Sequence, residues 1–329
     1  MADTHKETAL RMNRVIIVGG SGLIGRALAN DLSKSGYEVI VLSRSPASVR
    51  GLPDGVRAER WDGSTADGWG NLINGAAAIV NLAGESIGIP PIPWWLPGRR
   101  EKIRTSRVNA GRAVIQAIES ASKKPRVVIQ ASGINYYGLC GDRIVTEKDS
   151  AGNDFAARVC MDWEESTAQA ELLGVRRVLI RTAPVLARES GILIWLALPF
   201  RMFVGGPLGN GTQWFSWIHI ADQIAAIRFS IENENARGIF NLSSPNPLTN
   251  ADFGYALGRA LGRPYWFPTP AFAMRLIFGE LGRVMVLGSQ RVLPQRLQEA
   301  GFNFRFPEAE AALRDLFVTT SGSVSKTDK

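Results

Sequence analysis

The chain has 329 residues, 45% of them hydrophobic and 21% charged, enough apolar material for one large domain or two unequal lobes. The formal net charge is +8, but Lys and Arg are interspersed with acids, and no zinc spacing, helix-turn-helix or RNA-binding aromatic signature makes nucleic acid an expected partner. Two cysteines, Cys140 and Cys160, give neither a disulfide framework nor metal-ligand spacing, and the most apolar run, Gly191 to Pro207, is broken by Pro199 and Arg201 and too short to span a bilayer.

Short apolar runs alternate with helical periods from the start. Strands are predicted at Arg14–Val18, Tyr37–Leu42, Val56–Arg60, Ala77–Asn81, Arg126–Ala131 and Arg176–Arg181. Helices are predicted between them at Leu23–Ser35, Arg99–Ser120 and Phe155–Leu173. This cadence of apolar strands and helices implies an α/β fold, a doubly wound Rossmann-type parallel sheet covered on both faces. After about residue 185 the cadence gives way to Gly/Pro-rich loops, one more strand near Gly238–Leu242, and helices at roughly 249–262, 270–282, 289–300 and 307–317. The expected organisation is a nucleotide-binding domain over 13–245, with part of the substrate cleft at about 185–220, and a smaller, mostly helical lobe over 246–318. Residues 1–12, which lack a secretory apolar core, and 319–329 read as flexible tails. A reducing setting is expected, either the cytoplasm or an organelle stroma or matrix.

The strongest motif is Gly19-Gly20-Ser21-Gly22-Leu23-Ile24-Gly25, placed after a strand and opening a helix. In such a fingerprint Gly19 permits the tight turn, Gly22 admits a pyrophosphate, and Gly25 lets the helix pack on the strand. The helix N-terminus adds amide donors and a positive dipole end. The second strand ends in Ser43-Arg44 with no acid at its tip, and a guanidinium there suits the 2′-phosphate of NADP(H). Trp61-Asp62 either bracket the adenine or form a turn, and Asn81-Leu82-Ala83-Gly84 either pass beside the ribose or simply end a strand.

With these motifs the sequence resembles the extended short-chain dehydrogenase/reductase superfamily, and more narrowly its atypical "epimerase family protein" branch, similar to nucleoside-diphosphate-sugar epimerases. The residues that carry the resemblance include Asn81-Leu82-Ala83-Gly84-Glu85, Ser106-Arg107-Val108, Ala131-Ser132, Tyr136-Tyr137-Gly138, Val159-Cys160 and Trp163-Glu164. It continues through Gly205–Gly209, Gln213-Trp214, Ser216–Ile220, Leu287–Pro294 and Ala300–Phe302, so that it covers about residues 14 to 318. It implies a catalytic Ser on strand five and a Tyr-x-x-x-Lys pair on the next helix, where Tyr exchanges the proton as hydride moves.

Those positions are filled differently here. Cys160 stands at the Tyr position, Glu164 at the Lys position and Gly133 at the Ser position, with Ser132 one residue before it. The candidate catalytic residues are therefore Ser132, Tyr136 and Cys160, the last either a proton donor or a small buried hydrophobe. Glu164 either binds ribose hydroxyls or caps a polar face. Glu85, Tyr137, Gln213, Trp214 and His219 complete the expected substrate cleft, His219 being either a titrating catalyst or a structural histidine. Trp94-Trp95 and Trp214 either stack on a planar ligand or pack within the lobes. No metal is expected.

Three functions fit. One is an NADP(H)-dependent oxidoreductase or epimerase acting on a small molecule, as a monomer or homodimer. The second is a non-catalytic NADP(H)-responsive regulator working through a protein partner, as the cell-division-inhibitor-like label of this branch suggests. The third is a sugar-nucleotide enzyme proper, for which Arg181, Arg201 and Arg291 are the available diphosphate ligands.

Overall fold

The computed structural model describes residues 13–86, 97–188, 190–268 and 288–317. The expected helix at 270–282, Trp94-Trp95 and both tails lie outside them.

Seven parallel strands form the central sheet: β1 (Arg14–Val18), β2 (Glu38–Ser43), β3 (Arg57–Arg60), β4 (Ala78–Asn81), β5 (Val127–Gly133), β6 (Arg176–Thr182) and β7 (Gly238–Leu242). Their spatial order is β3-β2-β1-β4-β5-β6-β7. After β3 the chain crosses back to lay β4 beside β1, so the order reverses there and opens a crevice at the carboxyl ends of β1 and β4. The strand near 238, which follows the break in cadence, is the seventh member of the same sheet.

Side-chain alternation along the strands feeds two layers. Val15 and Ile17 of β1 join Leu28, Ala29 and Leu32 of α1 (Leu23–Lys34), together with Ile224, Ile227 and Ile231 further along the chain. Ile16 and Val18 point the other way, into Ala110, Val114, Ala117 and Ile118 of α2 (Pro97–Ser120). All four strand residues are fully buried, and each contributes roughly 1.5–3 kcal/mol by leaving water. Strand β3, with the sequence Arg-Ala-Glu-Arg, has no fully buried residue, because it is an outer strand with solvent on its flank.

The helix expected over Phe155–Leu173 is two, α3 (Phe155–Glu165) and α4 (Gln169–Leu172). Ser166 Oγ donates back to the Trp163 carbonyl and Thr167 Oγ1 to that of Glu164, the competition that ends helices at such residues. Then follow α5 (Ile192–Arg201), α6 (Ile220–Glu232), which carries Ile224 to Ile231, and α7 (Asn250–Leu261). Helix α7 is capped by Thr249 Oγ1 on the Asp252 amide and closed by Gly262 at φ 62°. Only the second half of the segment expected as a helix at 289–300 is helical, α8 (Gln295–Glu299). Pro294 disfavours helix before it, and residues 291–292 instead pair as a short parallel bridge with 144–145. The last helix is α9 (Ala309–Phe317).

A second core joins α5, α7 and α9 through Leu193, Phe200, Phe253, Leu257, Leu313 and Leu316, so it draws on residues either side of position 245. At the β7 edge, Arg296 of α8 donates to the carbonyls of Ile239 and Arg237, while Glu147 accepts from the Asn241 amide. No described helix is long and apolar enough to cross a membrane.

Candidate functional site

The glycine loop is shaped by close approach. Gly19 has φ 79°, and a β-carbon on it would come within 2.8 Å of the Ala83 backbone, so the β1 and β4 loops touch there. A β-carbon at Gly25 would collide with the backbone of Gly20. Gly25 therefore lets α1 close on its own preceding loop rather than on the strand. A β-carbon at Gly22 would make only ordinary contact, 3.6 Å from the Gly19 carbonyl oxygen, so the fold itself does not demand a glycine there. Gly22 is also the α1 N-cap; no side chain caps this helix and no acid stands in its first turn, which suits an anion.

A pocket of about 260 Å³ opens beside this loop at the end of β2. Three guanidinium side chains, Arg26, Arg44 and Arg50, line it with the residues Ser21, Ser43 and Ser45. Arg26 is folded over the loop by a 2.5 Å hydrogen bond to the Ser21 carbonyl. A neighbouring cleft of about 200 Å³ shares Ser21, Ser43 and Arg44 and runs past Gly19 and Gly22 to Ala83, Gly84, Glu85 and Ser106. Of these three arginines, Arg44 was expected at the end of β2 from the sequence, whereas Arg26 and Arg50 were not. Their signal was faint: an Arg one residue after the last motif glycine and another six residues past Arg44.

The other expected cofactor residues have intramolecular partners. Asp62 accepts hydrogen bonds from the amides and hydroxyls of Ser64 and Thr65, which hold its pKa down at about 2, the Thr65 amide foremost. Trp61 borders the cleft, its indole N–H donating to the Thr65 carbonyl. Asn81 is fully buried, donating to Gln130 and accepting from the Ala83 amide, while the Leu82 amide donates to the Val18 carbonyl. Asn81 thus sets the turn that brings Ala83 and Gly84 to the cleft. Leu23 and Ile24 are the first residues of α1.

At the end of β5 a buried polar network occupies the ground between the sheet and α3. Arg181, 1% exposed, donates from Nε and Nη2 to the two carboxylate oxygens of Glu164, each at 2.9 Å. Ser132 Oγ donates to the same carboxylate at 2.7 Å. Arg181 Nη1 donates to the Tyr137 hydroxyl, which in turn donates to Asn241 at 2.7 Å. Both Glu164 oxygens are thereby taken up inside the protein, which is a different setting from the ribose contact expected of it. Tyr137 is buried rather than facing a cleft, and burial pushes its pKa up to about 12. Arg181, one of the three arginines considered for a diphosphate, is held inside this network.

The Arg181 guanidinium also lies 3.3 Å from the ring centroid of Tyr136. The Tyr136 hydroxyl makes no hydrogen bond among the described residues and is not sealed from solvent. Cys160 is buried beside Gly133; burial first, and Glu164 second, push its thiol up to about 11, so it is a neutral thiol at pH 7.

The remaining expected cleft residues separate. Gln213 donates to the Leu208 carbonyl, and the Trp214 ring carries the Arg291 guanidinium at 4.0 Å. His219 lies elsewhere: it is the N-cap of α6, its Nδ1 accepting from the Ala221 amide, with its ring against Phe306. Burial lowers its pKa to about 4, and its Nε2 is 3.4 Å from Asp315 of α9. That is the structural form of the two readings. Glu85 accepts from Arg99 at 3.1 Å at the mouth of the cleft. Among the described residues no group of three or more His, Cys, Asp or Glu is placed to hold a metal.

A crevice at the strand-order reversal, a glycine-lined loop and an uncapped helix start together define a dinucleotide-binding Rossmann-type protein. The chain belongs to the NAD dependent epimerase/dehydratase family, whose model matches residues 15–243. A second model, described as a domain of unknown function (DUF1731), matches residues 269–316. The chain is similar to the human epimerase family protein SDR39U1 (isoform 2), whose crystal structure is with NADPH. The two are 32% identical with a TM-score of 0.83, over 92% of this chain and 98% of that one. It is 34% identical over 322 residues to the chloroplastic SDR39U1 homolog of Arabidopsis thaliana, covering 95% of this chain and 88% of the relative. It is also 36% identical over 297 residues to an epimerase family protein of Mycobacterium leprae, covering 90% and 93%.

Proposed function

We propose that this chain binds NADP(H) and acts as an atypical short-chain dehydrogenase/reductase, a reductase or epimerase of a small molecule. The observation that carries the cofactor choice is the pocket at the end of β2, where Arg26, Arg44 and Arg50 converge with three serines. Three cations around one small space suit the extra phosphate of NADP(H), and guanidinium groups grip phosphate through paired N–H donors. The loop fits the rest of the dinucleotide: Gly19 and Gly25 hold it in shape, and Gly22 leaves room at the bare α1 N-terminus. The NADPH of the human relative's structure supports the same choice. Bound there, the cofactor supplies or accepts hydride.

Among the three candidate catalytic side chains, Tyr136 alone keeps its polar atom open, so it is assigned the proton exchange with the substrate oxygen. Ser132, Glu164 and Arg181 position it, since Arg181 is clamped by Glu164 and lies against the Tyr136 ring. Residues 13–245 would carry the cofactor, and 246–318 would close the substrate side.

Calorimetry tests the cofactor choice. Arg44→Ala is expected to weaken NADPH about ten- to hundredfold, as loss of charged hydrogen bonds does, and NADH far less. Equal losses for both would defeat the assignment. Tyr136→Phe is expected to lower NADPH oxidation against a carbonyl panel by roughly 10²–10⁴-fold, the usual contribution of a proton donor.

The second reading, a non-catalytic NADP(H)-responsive regulator, is favoured by one observation. The groups at the family's Tyr and Lys positions are a neutral thiol and a carboxylate bound to Arg181. Tight NADPH binding without turnover across the panel, together with partner capture that differs between NADPH and NADP⁺, would favour this reading over the first.

A further inference from the structure

Arg107 belongs to the Ser106-Arg107-Val108 motif, to which the proposed function gives no role. It lies on α2 directly after Ser106, which borders the cofactor cleft. The residue is only 7% exposed, yet no carboxylate hydrogen-bonds it. The Glu85 carboxylate close by pairs with Arg99 instead. The groups in direct contact with Arg107 are neutral. Its Nη1 donates to the carbonyls of Ile103 at 2.8 Å and Glu85 at 3.0 Å, and its guanidinium lies 4.9 Å from the Trp163 ring centroid. Burial lowers its pKa to about 10. The carboxylate charge near Arg107 is that of Glu85, which Arg99 already engages, so a buried guanidinium is left with donors unused, which points to an acceptor supplied from outside.

Three further observations bear on where that acceptor would sit. Nε and Nη2 of Arg107 have no hydrogen-bond partner among the described residues, and neither atom is sealed off. A β-carbon on Gly84 would approach the Arg107 Cζ to 2.9 Å, so the glycine lets the guanidinium lie directly against the loop that follows β4. Cys160 of α3 is within electrostatic reach of Arg107, and its sulfur lies near Gly133 at the end of β5. Arg107 therefore stands between the carboxyl ends of β4 and β5, where open α/β sheets take their ligands.

We infer that Arg107 is an anion-binding residue of the substrate site, presenting its Nε and Nη2 edge to the carboxylate of a small acid bound beside the nicotinamide. The substrate class is thus a small carboxylic acid, and the inference rests on the NADP(H) reading for the nicotinamide's place. The Nε–Nη2 edge matches the two oxygens of a carboxylate side-on, and a single guanidinium balances one negative charge better than two. The thiol and indole beside it are uncharged, and the carboxylate near it, that of Glu85, is paired with Arg99, which offsets its repulsion of an anion.

Titration of the NADPH-loaded protein tests this, with acetate and inorganic phosphate as separate probes at constant ionic strength. Nicotinamide emission and tryptophan emission are followed together. Acetate is expected to give a saturable change in both signals and phosphate a weaker one. Arg107→Gln should weaken acetate by roughly tenfold or more while leaving NADPH affinity unchanged, and Arg107→Lys, which keeps the charge but loses the paired edge, should fall between. An unaltered acetate response in both variants would overturn the inference, as would tighter binding of phosphate than of acetate. A drop in NADPH affinity and melting temperature with the acetate response intact would reduce Arg107 to a prop for the Glu85 loop, and so would also overturn it. If NADPH itself fails to bind, the cofactor reading falls. The acetate response of tryptophan emission, compared with Trp163→Phe, then still decides the role of Arg107.

Discussion

The two halves of the sheet's carboxyl edge are built on opposite principles. Around β1 and β2 the site is made of backbone and of missing side chains: Gly19 against Ala83, Gly25 against Gly20, and a helix start with nothing capping it. Around β5 and β6 it is made of long side chains meeting from distant parts of the chain. Ser132, Glu164, Arg181, Tyr137 and Asn241 form one connected set, with Arg107 and Cys160 beside it. The first kind of site tolerates a generic ligand common to many proteins. The second depends on side chains brought together from several strands and a helix, and it includes the positions where the resemblance leads one to expect the family's catalytic groups.

If that contrast holds, perturbing the β5 side should cost the most stability. Arg181→Met leaves Glu164 buried without its partner and is expected to destabilise the protein by about 3–5 kcal/mol, measured by urea unfolding. A loss near 1 kcal/mol would mean that solvent reaches the network.

The next effect concerns the histidine that caps α6. His219 has a folded pKa of about 4 against an ordinary value near 6.5, so the unfolded chain takes up the proton first as pH falls. Its contribution is fully present above pH 6.5 and is lost between about 6.5 and 4. A shift of this size corresponds to about 3 kcal/mol at most. His219→Asn keeps a capping group without the titration and should flatten the stability profile across that window. An unchanged slope would assign the acid sensitivity to other groups.

The smallest effect on stability is expected at the glycine cradle. Gly25→Ala forces α1 away from Gly20 and should cost roughly 1–3 kcal/mol in thermal unfolding, while removing most NADPH affinity. Retained affinity would mean that the loop can widen without losing the ligand.

The contrast also explains what could be read from the sequence. The glycine spacing and the period of the strands are local signals, so the β1 loop, the parallel sheet and Arg44 were all legible. The strand near 238 was legible as a strand but not as the seventh member of the sheet, because pairing with β6 is a long-range fact. Arg181 was visible only as one of several arginines. Its role depends on Glu164, seventeen residues away in sequence, and on two tyrosines after another strand. The segment at 289–300 misled because its apolar spacing suits a helix, while Pro294 and the side-chain hydroxyl of Ser216, which accepts from the Val292 amide, hold its first half extended.

One margin of the sheet has a bearing on how this protein behaves in crowded solution. Strand β7 is outermost, and such a strand normally offers a row of open amides and carbonyls to any passing chain. Here a guanidinium from α8 and a buried carboxylate already occupy groups along that row, and at the far margin the charged β3 discourages annealing. Each outer strand of the sheet thus carries a feature that hinders pairing with a neighbour's backbone.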